Sequence, residues 1–423
     1  MKSFSHYPAD MTRALLDRWE QQGFSRSLLP SRELCGRLLD TLYQASLLRE
    51  EGNHVRCRVL IAEPEDFDEQ LQSGGSRLHV LRFAQPTRLT PHELRKLSEA
   101  ANFYRSLLAV SVIDDEFFIW GQIVTGTDWV NRSESDRHRE SLLPTRLVVQ
   151  CLGAGHLIAG CGDSRVLESA NGKILTDGFD PFRSRWLPRR FQSFRTSLLR
   201  QLDEIAPPNS TTEICDSFVK DVAQSVIRQT LRLVRENGHG GMLIYLPREH
   251  ESSVPLDDWF RFRVRFREDD ATQRFHRLMI RLMIRGREVG AAAGLQTVRW
   301  EDYGRLEDLE LVALDQALIQ FSHFLADLMS IDGSLVLDRG FRLIGFGAEI
   351  LGDTPVREIH RALDLEAGQC VVEPADSGGT RHRSAYRLVA GIPDATVLVV
   401  SQDGDVRFVA HHKKQLTYWP YLP

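Results

Sequence analysis

Ser377-Gly378-Gly379-Thr380-Arg381-His382-Arg383-Ser384-Ala385 places two glycines ahead of a predicted helix start, followed by an Arg-His-Arg run. Unpaired backbone N–H groups at a helix start collect an anion. Thr380 adds a hydroxyl, Arg381 and Arg383 add planar forks suited to phosphate, and His382 adds a further donor or a metal ligand. An ordinary capped helix with a basic first turn is the plainer alternative. The helix dipole disfavours it, since each cation there costs roughly 0.3–1 kcal/mol unless an anion compensates.

Upstream, Ser330-Ile331-Asp332-Gly333-Ser334 precedes an apolar stretch that reads as a strand. Glycine allows close backbone approach by a ligand, and the carboxylate can hold a metal or polarise a hydroxyl. Alone, the segment reads first as an ordinary Asp-Gly turn. Two strands around Asp338-Arg339-Gly340 form a predicted hairpin. Residues 242–246 read as a buried strand, and 396–400 form another apolar run, turned by Asp403-Gly404 into 406–409. Phe260, Phe262, Val264 and Phe266 alternate with Arg261, Arg263, Arg265 and Arg267, giving a half-buried strand with a basic outer face. Helices are expected over 218–234, capped by Gly238, over 311–328, near 356–363 and from Thr380.

Ala206-Pro207-Pro208-Asn209-Ser210-Thr211-Thr212 is short, polar and proline-marked, so 206–213 reads as a linker. It separates 1–205 from 214–423, each long enough for its own core. The first half contains a helical stretch at 38–48, strands at 55–61 and 78–83, and a helix opened by the capping box Thr90-Pro91-His92-Glu93. Hairpins are expected at 107–112/117–124, turning at Asp114-Asp115, and at 166–168/173–175, turning at Asn171-Gly172. Basic residues from Arg183 to Arg200 close this half and read first as a solvated face or ion pairs. Both halves therefore read as α/β or α+β.

The chain has 423 residues, 42% hydrophobic and 26% charged, which permits sizeable cores. Lys plus Arg is 53 against 58 for Asp plus Glu, a net charge of −5 that does not attract nucleic acid. No apolar run suits a signal peptide or a membrane span, and the six scattered cysteines suit a reducing compartment, so a cytoplasmic protein is expected. There is no Walker A pattern, no zinc-ligand spacing and no assignable Ser-His-Asp order. Gly153-Ala154-Gly155 through Gly160 lacks dinucleotide-loop spacing and reads as turns in a meander.

Asp332-Gly333-Ser334 followed by Gly379-Thr380-Arg381-His382-Arg383-Ser384-Ala385 resembles the paired signature of the DisA-type diadenylate cyclase (DAC) domain. Gly241-Met242-Leu243-Ile244-Tyr245 is similar to that family's first core strand, and Val397-Leu398-Val399-Val400-Ser401 to its late strand. The resemblance spans about 214–413. It implies a mixed sheet flanked by helices, ATP as substrate, Mg²⁺ or Mn²⁺ as cofactor, and a face-to-face homodimer or higher homo-oligomer. Two ATP would be joined into cyclic di-AMP with release of two pyrophosphates. By this analogy Asp332 activates the 3′-hydroxyl and helps hold the metal, and Gly333 lets the nucleotide approach. Ser334, Gly379, Thr380, Arg381, His382, Arg383 and Ser401 would bind ATP and its phosphates.

Three positions depart from the pattern: Ser334 replaces the usual alanine, Ile331 a common histidine and Gln402 a common glutamate. The first is a small change; Ile331 and Gln402 motivate the alternative, a DAC-fold sensor of ATP or a cyclic dinucleotide without turnover. The first half resembles the DACNV sensor-type domain of some bacterial diadenylate cyclases. The similar residues are Leu28-Leu29-Pro30-Ser31-Arg32-Glu33-Leu34, Leu89-Thr90-Pro91-His92-Glu93-Leu94-Arg95-Lys96-Leu97 and Ser184-Arg185-Trp186-Leu187-Pro188. That resemblance implies an input signal that these residues leave unspecified.

Overall fold

The computed structural model describes residues 8–67, 78–103, 105–125, 143–162, 164–170, 172–175, 180–205, 212–248, 254–303, 305–306, 308–402 and 405–421. The predicted turns at Asn171 and Asp403-Gly404, and linker residues 206–211, lie outside them. The chain is mixed α/β and divides into two compact units, 1–176 and 177–423.

The first unit is built on an eight-stranded sheet. In spatial order its strands are Lys173–Leu175, Ser164–Ala170, His156–Cys161, Leu147–Gly153, Cys57–Ile61, Ser106–Ile113, Glu116–Val124 and His79–Arg88. Among the described residues, only Cys57–Ile61 and Ser106–Ile113 pair in parallel in this sheet; its other pairs are antiparallel. Both expected hairpins form. At the first, Asp114 and Asp115 take φ of +47° and +57°, the pair of left-handed residues a two-residue hairpin turn requires. Thr90 Oγ1 accepts from Glu93 N at 3.2 Å and starts the Pro91–Ala100 helix. The Gly153 to Gly155 segment turns the Leu147–Gly153 strand into His156–Cys161, as a meander does.

In the second unit the spatial order is Phe260–Arg261, Leu343–Ile350, Ser334–Asp338, Gly241–Leu246, Thr396–Val400, Val406–His412, Gln415–Tyr421, Glu358–Ala362 and Cys370–Pro374. Val264–Arg265 also pairs with Leu343–Ile350. Two pairs are parallel, Gly241–Leu246 with Ser334–Asp338 and Glu358–Ala362 with Gln415–Tyr421, so the sheet is mixed. Alternation along the central strands buries both faces. Leu243, Tyr245, Leu335, Leu337 and Leu398 enter one core, under the Asp216–Glu236, Arg274–Ala292 and Leu309–Met329 helices. Met242, Ile244, Val336, Val397 and Val399 enter the other, under the Thr380–Gly391 helix. Strands buried on both faces read as continuous apolar runs rather than alternating ones.

Three expectations need correction. The boundary falls at 176/177, not at 206–213. The Gln192–Ile205 helix sends Phe194, Leu198 and Leu202 into the second unit's core, and Trp186 stacks on Trp419 at 4.2 Å. The basic stretch beginning at Arg183 therefore belongs to the second unit, where Arg190 donates to the carbonyls of Asp394 and Ala395. The expected helix near 356–363 is the strand Glu358–Ala362, held between two other strands. The continuous strand expected from Phe260 is two short pieces. Among the described residues, no helix is long and apolar enough to cross a membrane.

Candidate functional site

Strand register brings the two motifs to one end of the second sheet. Leu243 pairs with Leu335 on one side and Leu398 on the other, and Gly241 pairs with Val400. Extended by two steps, the Leu243–Leu335 pairing sets Gly333 beside Gly241; extended by one, the Gly241–Val400 pairing sets Ser401 beside Gly240. A Cβ built on Gly240 would lie 2.8 Å from Val400 O and 3.1 Å from Gln402 N, which agrees with that placement. Strands are spaced about 4.8 Å apart, so Gly333 and Val400 are separated by roughly 10 Å across the Gly241 strand.

The Thr380–Gly391 helix reaches the same end because it leads into the Thr396–Val400 strand and packs back over it through Ala385, Leu388 and Val389. Arg407 lies opposite Val399 and donates to Tyr386 Oη at 2.8 Å, so the turn before Tyr386 projects towards Ser401 and Asp405. Gly379 is the N-cap and supplies no side-chain acceptor, leaving the first-turn N–H groups open to a ligand.

Each predicted residue has a definite place. Asp332 and Gly333 are exposed in the short link between the Leu309–Met329 helix and the Ser334–Asp338 strand. Gly333 has φ +111°, and a Cβ there would meet Gly347 C at 2.6 Å and Gly347 Cα at 2.8 Å. Glycine is thus required by the neighbouring strand, whatever approaches from solvent. Ser334 is buried, and its hydroxyl donates to Met242 Sδ at 3.3 Å. Thr380 and Arg383 are exposed, with Arg383 Nη2 donating to Thr380 Oγ1 at 3.4 Å. Ser401 Oγ accepts from Asp405 N at 3.1 Å.

His382 differs from its neighbours. It is 6% exposed, and among the described residues neither ring nitrogen has a hydrogen-bond partner. Burial, reinforced by Arg407 and Arg381 and opposed by Asp405, pushes its pKa down to about 4. The ring is therefore neutral near pH 7, with one donor and one acceptor unused.

Behind it lies a polar chain that sequence reasoning missed. The Arg407 guanidinium lies 4.6 Å from the Tyr418 ring centroid, Tyr418 Oη donates to Glu373 Oε2 at 2.6 Å, and Glu373 pairs with Arg361 at 2.8 Å. This chain joins the helix to the Glu358–Ala362 and Cys370–Pro374 strands. Its only sequence signal was Arg407 inside an apolar strand.

Among the described residues, no three His, Cys, Asp or Glu side chains converge as a metal cluster. Mg²⁺ is commonly held by one or two carboxylates together with substrate phosphates. A single exposed carboxylate, Asp332, would suit a metal held chiefly by the phosphates of a ligand rather than by the protein.

Residues 25–124 match the model of a family described as "Probable sensor domain DACNV". No curated protein and no solved structure matches the chain. The matched stretch runs from the Arg26–Leu28 turn to the Glu116–Val124 strand and lies wholly within the first unit.

Proposed function

We propose that the second unit is a diadenylate cyclase, regulated by the sensor-type first unit. The observation that carries this reading is the gathering of Asp332-Gly333, Ser401 and the Arg-His-Arg helix start at one sheet end. A carboxylate, a hydroxyl and an open, cationic helix N-terminus at one end of a sheet suit a nucleoside triphosphate.

Phosphoryl transfer needs alignment and charge neutralisation more than a covalent nucleophile. Each ATP 3′-oxygen would bond to the α-phosphorus of the other ATP while the α–β bridging bond breaks and pyrophosphate leaves. The 3′-hydroxyl proton passes to Asp332. Arg381 and Arg383, with the first-turn N–H groups, hold the phosphates, and Mg²⁺ or Mn²⁺ supplies further charge neutralisation. Two sites must face each other, so the active species is a homodimer or larger, and activity per subunit falls on dilution. Constant specific activity from a proven monomer would rule this mechanism out.

A second reading, an ATP or cyclic-dinucleotide sensor without turnover, draws support from Ile331, 39% exposed beside Asp332 where the resembling family commonly has histidine. Incubation of the full chain with ATP and either metal separates the two. Cyclic di-AMP in the mixture supports the cyclase; saturable nucleotide binding without product supports the sensor.

A further inference from the structure

The Phe260–Arg261 and Val264–Arg265 pieces turn three arginines outward along the Leu343–Ile350 strand. Arg261 pairs with Glu349 at 3.1 Å and Arg265 with Asp257 at 3.3 Å. Among the described residues, Arg263 between them forms no side-chain hydrogen bond or ion pair. Its place is well defined. Arg263 N donates to Gly347 O at 3.2 Å. A Cβ built on Gly347 would lie 2.8 Å from Arg263 Cβ, 3.4 Å from Arg263 Cδ and 3.5 Å from Asp332 O. The aliphatic stem therefore crosses Gly347, on the strand that packs against Gly333. Gly347 takes φ +60°, and any larger residue there would displace the stem.

We infer that Arg263 is a third phosphate-binding arginine of the nucleotide site, acting from the side opposite the Thr380–Gly391 helix; this rests on the ATP reading above. Gly347 and Gly333 form a side-chain-free path between Arg263 and the centre of the site. An exposed fork with no acid beside it is free to bind phosphate in two-point geometry. Arg261 and Arg265 on either side are already neutralised by carboxylates and are not.

The test is equilibrium binding of ATP and of adenosine to the full chain, comparing wild type with Arg263→Gln, Arg263→Lys and Arg261→Gln. A hydrogen-bonded charge contact is worth enough that Arg263→Gln should weaken ATP about 10- to 100-fold. Adenosine binding should not change. Arg263→Lys should fall between wild type and Arg263→Gln, and Arg261→Gln should match wild type. Wild-type ATP affinity in Arg263→Gln overturns the assignment while leaving the ATP reading intact. Equal losses of ATP and adenosine overturn it too, because the arginine would then act on the fold. No ATP binding by the wild type removes both readings together.

Discussion

Gly333→Ala isolates what the Asp-Gly motif owes to packing. The mutation leaves Asp332 in place and adds one methyl group. At φ +111° an L side chain is strained, at a cost of about 1–3 kcal/mol. The added carbon would also sit 2.6–2.9 Å from three backbone atoms of Gly347 and Ala348. Backbone cannot rotate away as a side-chain tip can, so overpacking adds about 1–3 kcal/mol. The sum is about 2–6 kcal/mol. For a unit of this size each kcal/mol shifts the midpoint by about 2–4 °C, so thermal unfolding of the second unit should drop by roughly 5–20 °C. Gly379→Ala is the matched control. Its φ is −63°, and the new Cβ would meet only His382 Nδ1, at 3.9 Å. Its midpoint should fall by no more than about 4 °C, since alanine in place of glycine at an N-cap costs up to about 1 kcal/mol and no backbone clash adds to it. A Gly333→Ala midpoint within 1 °C of wild type would refute the packing account of this glycine.

Three other substitutions probe the same end of the sheet. His382 is held near pKa 4 when folded and returns to about 6.5 when unfolded, so the unfolded chain binds its proton first. Its contribution is complete above pH 6.5 and is lost as pH falls towards 4, by on the order of 3 kcal/mol. Denaturant melts across that range should show the loss, and His382→Gln should flatten it. Arg407→Ala removes the 2.8 Å bond to Tyr386 Oη and the stacking on Tyr418, and should cost about 2 kcal/mol in the same melts. Asp332→Asn should abolish turnover and leave ATP affinity within a few fold, as read by product formation and equilibrium binding.

Local patterns in the sequence were sufficient for the elements that carry the motifs. The apolar runs at 242–246 and 396–400, the hairpin at Asp338-Arg339-Gly340 and the helix from Thr380 all appear where expected. Non-local pairing was not legible. Val356, Ile359 and Leu363 share helical spacing, yet 358–362 is a strand because 370–374 and 415–421 pair with it on either side. The unit boundary was misplaced for a related reason. Prolines mark 206–211, but Phe194, Leu198 and Leu202 show only in three dimensions which core they join. At the site, Asp332, Thr380, Arg381 and Arg383 were singled out by type and order, while the strand register that brings their two segments to one end of the sheet shows only in three dimensions. That Arg263 lies over Gly347 was not legible either, since the alternation that reveals a basic strand face cannot show which of its arginines lies over a glycine. Gly333 was read as room for a nucleotide, whereas the space its side chain would fill is taken by Gly347.

The central claim is that the second unit joins two ATP through the Asp332 and Arg-His-Arg motifs. Mass spectrometry of the nucleotides formed by the full chain with ATP and Mg²⁺, then Mn²⁺, tests it most directly. The account predicts cyclic di-AMP with two pyrophosphates per product, formed by the wild type and absent with Asp332→Asn. Unchanged ATP with both metals, under conditions where a working cyclase turns over, would contradict it.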